Sequence, residues 1–275
     1  MRPIVALLTD FGSQDYYVGA VKGAVLAACP DATLVDIAHD LPAHEVEEAA
    51  YCLAAAVSAF PAGTVFLVVV DPGVGSGRRA LAVEAGGYRF VGPDNGVFSL
   101  ILNDLGPARL HHLSNEGLFR KRVSSTFHGR DIFAPVAGQL ACGTPLEACG
   151  PELTDPVVLP LGQSRRLGPL EWEAHVLQVD RFGNLTTDLT RADLDAILEE
   201  AEGDGTRVVV VASGIVLPLV NTYTDVSRGE VCALTGSTGR LEVAVNLGSA
   251  SRRLSLGRGG SVRVRIRNDP PGPVA

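Results

Sequence analysis

The chain has 275 residues, 46% of them apolar and 20% charged, with a formal net charge of −8. That composition is too apolar for a disordered chain, and the length suffices for one large core or two modest ones. The acidic balance, with no basic run longer than Arg120-Lys121-Arg122, excludes a general binder of nucleic acid or of anionic membrane, since both need clustered positive charge. The apolar runs 3–8 and 65–70 fall far short of the roughly 20 residues that span a bilayer, and Asp10 interrupts the first too early for a secretory signal. These features read as a cytoplasmic protein. Five cysteines, an odd number without a C-x-x-C pair, read as reduced thiols packed as small apolar groups rather than as a disulfide framework or a zinc site.

Taken in chain order, the text alternates. Residues 4–9 read as a buried strand ending at Asp10, and 16–29 as a helix stopped by Pro30. A second strand, 33–38, ends at His39-Asp40. A second helix, 46–60, is closed by Pro61. A third strand, 64–70, ends at Asp71. Strand, helix, strand, helix, strand predicts an α/β fold with a mainly parallel sheet. Further strands follow at 79–84, 88–91 and 108–113, and a helix at 131–140. Gly-Pro and Asp-Pro punctuation then suggests a linker. Beyond it, strands at 174–179, 207–212, 231–234, 241–245 and 261–266 surround one helix, 192–200, capped by Thr190 with Asp193 three residues on. Short strands with glycine turns suit a small barrel or sandwich. The division is therefore 1–155, a linker 156–170, and 171–275, with a frayed tail from Asp269.

Polar residues gather where the first strands end: Asp10, His39-Asp40 and Asp71. In open α/β sheets that edge binds ligands. Segment 71–79 is a carboxylate followed by a glycine-rich loop and two arginines. Such a loop can turn backbone N–H groups toward a ligand, though a plain hairpin would serve the same text. His128 stands in Phe127-His128-Gly129-Arg130-Asp131, without apolar periodicity. His39, Asp40 and His44, with Asp10, Asp71, Asp94 and His128, have ligand types found in two-metal hydrolases. Asp180 to Asn184 offers groups for hydroxyls and a ring for stacking. Residues 236–246 read as strand-turn-strand.

Seven segments, in order, carry a resemblance: 8–12, 17–23, 70–75, 91–96, 127–131, 180–184 and 237–246. Together the chain resembles the S-adenosylmethionine hydroxide adenosyltransferases, relatives of the adenosyl halide synthases, over nearly its whole length. The resemblance implies an N-terminal α/β domain, a smaller C-terminal β-barrel domain, and a homotrimer with its active site at the subunit interface. It implies hydrolysis of S-adenosylmethionine to adenosine and methionine, without metal or organic cofactor. It places a catalytic trio on Asp71, Arg78 and His128, and the ribose-binding carboxylate on Asp10. Nucleoside contacts fall on Asp180, Phe182, Asn184, Tyr223, Ser237, Glu242 and Val245. Fluorinating relatives carry tyrosine where Asp71 stands and a tyrosine-serine pair where His128-Gly129 stand. An aspartate repels a halide, so these differences point to water as nucleophile. The competing expectations are a metal-dependent hydrolase built on the His/Asp residues and a non-catalytic S-adenosylmethionine sensor.

Overall fold

Strands β1 (Ile4–Thr9) and β3 (Val65–Val69) are almost wholly apolar because both of their faces are covered. The computed structural model describes residues 2–161 and 164–267, and the chain divides into two units after Leu159. In the first unit, α1 (Tyr17–Ala28), β2 (Thr33–Ala38) and α2 (Val46–Val57) alternate with those strands. Then come β4 (Ala80–Ala85), β5 (Tyr88–Pro93), α3 (Ser99–Asp104), β6 (Ala108–His112) and α4 (Ala134–Ala141). The sheet order is β2-β1-β3-β5-β4-β6. Its first four strands are parallel, and β4 runs antiparallel to both β5 and β6.

Alternation along β1 builds two cores. Val5 and Leu7 pack with α1 and α4 through Val21, Val25 and Leu140. Ala6 and Leu8 face α2 and α3 through Leu53, Val57 and Ile101. The result is a sheet between two helical layers.

Helices α1 and α4 touch closely at Gly138, where a Cβ would lie 2.7 Å from the Val25 carbonyl oxygen and 2.8 Å from Ala28 Cβ. Alanine in a helix ordinarily gains up to about 1 kcal/mol over glycine. Here overpacking costs about 1–3 kcal/mol and wins. Gly138→Ala is therefore expected to lower the urea midpoint, where an exposed Gly→Ala change in a helix would raise it.

The same contact places Cys29, at the end of α1, beside Cys142, at the end of α4. They form a disulfide with Cα atoms 5.8 Å apart and a sequence separation of 113 residues. This corrects the expectation of five reduced thiols. The pairing depends on two helix ends meeting in space, which spacing along the chain does not reveal. Cys52, Cys149 and Cys232 are free.

The second unit contains β7 (Arg165–Gly168), β8 (Glu171–Val179), β9 (Leu185–Thr190), α5 (Arg191–Glu200), β10 (Val208–Ala212) and β11 (Ile215–Pro218). It ends with β12 (Val231–Thr235), β13 (Arg240–Val245), α6 (Ala250–Leu254) and β14 (Ser261–Ile266). The order is β11-β10-β14-β8-β9-β13-β12, with β7 added on β8. A bridge between Leu219 and Ala233 draws the two ends together into a nearly closed barrel. Thr190 and Asp193 form the expected capping box on α5. The stretch read as a linker, 156–170, holds β7. The tail from Asp269 lies outside the described residues.

Candidate active site

At the carboxyl edge of β1 and β3 in the first unit lies a cavity of about 260 Å³. Asp10, Tyr17, His44, Asp71 and His128 are among its lining residues. Its aromatic wall is a cluster: Tyr17 and Phe127 rings stand 5.3 Å apart, and Phe11 lies 5.9 Å from Phe127.

The loop after β3 folds back on itself. Val74 N–H donates to the Asp71 carbonyl at 3.2 Å, and Ser76 Oγ to the Gly73 carbonyl at 2.7 Å. Gly75 adopts φ +78 against the Ser125 carbonyl, where a Cβ would collide. The turn returns Arg78 to Asp71. Arg78 Nε donates to Asp71 Oδ1 at 2.7 Å, and Nη2 pairs with Oδ2. This two-point fork is the strong form of the ion pair. The same Nη2 reaches His128 Nδ1 at 2.9 Å, and the guanidinium packs over the Phe133 ring. Arg79 points elsewhere, to Asp94 and Asp155.

A guanidinium carries only donors, so His128 Nδ1 must accept and the ring proton sits on Nε2. Burial, then the Arg78 charge, lowers the His128 pKa, against the opposing pull of Asp71 and Asp131. The imidazole is thus held neutral, with one N–H free to donate.

His128 stands directly before a π-helical turn, Gly129–Phe133, that leads into α4. The sequence reading expected one helix over 131–140. The turn is closed by Ala134 N–H bonding to the Gly129 carbonyl. At Gly129 a Cβ would lie 2.8 Å from Val69 Cγ1, so glycine lets this turn sit against β3. Asp131 is fully buried and anchors the preceding loop through Arg130 at 2.7 Å and Ser124 N–H at 2.9 Å. Burial opposes its charge, yet these partners hold its carboxyl below the usual value.

The suggested metal ligands do not converge. Asp71 and Asp94 are each occupied by an arginine, and His39 Nδ1 faces Thr9 Oγ1 at 2.8 Å. Among the described residues no trio of His, Cys, Asp or Glu is placed to hold a metal ion. Asp94-Asn95 instead braces backbone, accepting Val157 N–H at 2.8 Å and donating to the Val70 carbonyl at 2.9 Å.

In the second unit a separate cluster forms around β13. Asp180 Oδ1 accepts the N–H groups of Phe182 (2.9 Å) and Asn184 (2.8 Å), and Oδ2 accepts Asn184 Nδ2 at 3.0 Å. This tight turn leaves the Phe182 ring 75% exposed. Tyr223 donates to buried Glu242 at 2.7 Å. Burial foremost, then that bond and the Glu242 charge, raises the Tyr223 pKa. Burial also raises the Glu242 pKa; Tyr223 works against it and Asp180 adds to it. Ser237 lies in the exposed turn that follows Gly236, a residue packed on Glu242. Val245 ends β13 and is nearly buried.

Two sequence profiles match the chain. The N-terminal domain of the SAM hydroxide adenosyltransferases matches residues 5–150, and their C-terminal domain matches 174–263. The chain belongs to the SAM hydroxide adenosyltransferase family. An (R)-S-adenosyl-L-methionine hydrolase of Thermus thermophilus is 41% identical over 96% of this chain and 100% of its own length. A fluorinase of Nocardia brasiliensis is 28% identical over 96% of this chain and 97% of its own. The crystal structure of an uncharacterized conserved protein from Thermotoga maritima superposes with a TM-score of 0.87. It is 37% identical, covering 95% of this chain and 99% of that one. As a hydroxide adenosyltransferase, this chain carries carboxylate and imidazole, both held by one arginine, at its sheet edge. Among the site's other groups, the aromatic wall of Phe11, Tyr17 and Phe127 was missed as such, although Phe11 and Phe127 flank Asp10 and His128, both singled out from the sequence.

Proposed function

We propose that this chain hydrolyses S-adenosylmethionine, water displacing methionine from ribose C5′ to give adenosine. The observation that carries this reading is the Arg78-centred pairing of Asp71 and His128 beside the cavity, in a chain of this family. The sulfonium is already a good leaving group, because methionine departs as a neutral thioether and needs no proton. What remains is to place water in line and take its proton. His128 Nε2–H donates to the water oxygen. It cannot take the proton, since Nε2 is already protonated and Nδ1 faces Arg78. Asp71 retains lone pairs beyond the two that Arg78 occupies, and it is the base. Asp10 accepts the ribose hydroxyls. Phe182 stacks on adenine, with Asp180, Asn184, Tyr223, Ser237, Glu242 and Val245 around the nucleoside.

No metal or organic cofactor is required in this scheme. We further propose a cytoplasmic homotrimer in which the cavity of one copy and the β13 cluster of another complete the site. The open, exposed Phe182 supports this assembly. Incubation with S-adenosylmethionine, with and without chloride and chelator, should yield adenosine and methionine in every case. Release of 5′-chloroadenosine would overturn water as the nucleophile. Loss of activity to chelator, restored by a divalent ion, would favour the metal hydrolase. Light scattering should report three times the chain mass.

The neutral His128 sets a pH limit. A proton added at Nδ1 would face the Arg78 guanidinium, so kcat should fall on the acid side with a midpoint below 6.5, the ordinary histidine value. The stability sign agrees. The unfolded ring binds a proton near 6.5 and the folded ring only at lower pH, so this contribution is present above 6.5 and is lost as pH falls from there. An acid limb centred above 6.5 in the rate profile would contradict the Nδ1 assignment.

A further inference from the structure

We propose that Thr9 and His39 are positioning residues for Asp10. The inference rests on the reading that Asp10 holds the substrate ribose.

Asp10 lies one residue past β1, in a turn that the sheet no longer supports. Its carboxylate accepts His44 N–H at 2.9 Å and lines the cavity. The next two N–H groups of the turn are held by the proposed pair. Gly12 N–H donates to the His39 carbonyl at 2.8 Å, and Phe11 N–H reaches Thr9 Oγ1 at 3.4 Å. Thr9 Oγ1 in turn lies 2.8 Å from His39 Nδ1. On the far side of the ring, Nε2 stands 3.0 Å from Asp36 Oδ1, and Asp36 Oδ2 takes Lys22 Nζ at 2.7 Å.

The Asp36 charge lies 3.0 Å from Nε2, an ion-pair contact not aligned as a hydrogen bond, and it draws the ring proton of His39 to that side. Nδ1 is then an acceptor, and the Thr9 hydroxyl must donate to it. That leaves the Thr9 lone pairs for Phe11 N–H. The Asp36 charge thus sets which way the Thr9 hydroxyl points, and the turn bearing Asp10 is the last member of the series.

Neither side chain of the pair lines the cavity. Thr9 is fully buried, at the end of a strand whose preceding four residues are apolar. A valine there would fill the same volume and suit the strand as well. The hydroxyl is therefore explained by the turn and not by the packing.

Thr9→Val is the direct test, with Thr9→Ser, Asp10→Asn and the double variant beside it. Removing one hydrogen-bonding group that directs Asp10 should raise KM for S-adenosylmethionine about tenfold and leave kcat within about threefold. Thr9→Ser, which keeps the hydroxyl, should restore KM to within about twofold. Asp10→Asn should raise KM by at least as much as Thr9→Val. Thr9→Val added to Asp10→Asn should change KM less than about twofold, because effects that act through one group do not add. A purely structural role for Thr9 would instead multiply the two effects, and that result overturns the inference. So does a normal KM for Thr9→Val while Asp10→Asn raises it, and in both cases the ribose reading survives. If Asp10→Asn leaves KM unchanged, the ribose reading falls and the inference with it. Should Thr9→Val fail to fold, His39→Asn reads the same cycle. Its single short amide can meet Thr9 or Asp36 but not both, and the same KM rise and the same non-additivity are expected.

Discussion

Asp71→Asn should lower kcat for adenosine release about 10³-fold, the usual loss for a positioned base, while S-adenosylmethionine still binds by calorimetry. Asparagine keeps the shape but carries no charge for Arg78 and no basic oxygen for water. Arg78→Ala should be at least as damaging. It strips the partner from a buried carboxylate, a change that costs roughly 3–5 kcal/mol where a buried pair is broken, and it also frees His128 Nδ1. Arg78→Lys should not rescue, since one ammonium cannot reproduce a fork that meets both oxygens of Asp71 and the imidazole. His128→Ala should lose about 10²-fold, because it removes a donor to water rather than the base. The three losses should not multiply in combined variants, as the groups act as one unit. Chromatography of the nucleoside at saturating substrate measures each case. Full activity in Asp71→Asn, Arg78→Ala and His128→Ala would reject the trio.

The second large effect concerns stability. The Cys29–Cys142 bond closes a loop of 113 residues inside the first unit. Cross-linking so long a segment restricts the unfolded chain strongly, and losing such a bond costs about 2–4 kcal/mol. Cys29→Ser, Cys142→Ser or reductant should therefore lower the urea midpoint of the oxidised protein by a corresponding amount. The kinetic constants should hardly change. The bond joins the far ends of α1 and α4, and twelve residues of α1 put it about 18 Å along the helix from Tyr17. Identical unfolding curves with and without reductant would refute the stabilising role.

Much of the fold was readable where burial writes a simple pattern. β1 and β3 are apolar on both faces, and Pro30 stops the chain from extending α1. β9 was hidden because four of its six residues, Leu185–Thr190, are polar. Its buried Thr187 and Asp188 are satisfied by the Leu241 carbonyl and by His175 N–H, so tertiary partners permit a strand whose text shows no apolar alternation. The six-residue α3, the four-residue edge strand β11 and the five-residue α6 are too short to show a period. β7 hid inside proline-rich text. At the site, Asp10, Asp71 and His128 stood out because charged groups end apolar strands or open a helix. The division of labour between Arg78 and Arg79 was not visible in composition. They are neighbours in sequence, and the reversal of the loop at Gly75 sends them to different acids. The Lys22–Asp36–His39–Thr9 chain was equally hidden, because its members come from three elements.

The π-helical turn at Gly129–Phe133 has one further effect. Such a turn is equivalent to one extra residue slipped into an ordinary helix, and one residue of α-helix amounts to about 100° of rotation. Everything before the turn is therefore out of phase with everything after it. α4 keeps Val136, Ala137 and Leu140 aimed at the sheet, while His128 is swung onto a bearing that a regular helix would have denied it. Shortening this stretch by one residue would remove a group that packs the turn and would also leave the imidazole facing the wrong way.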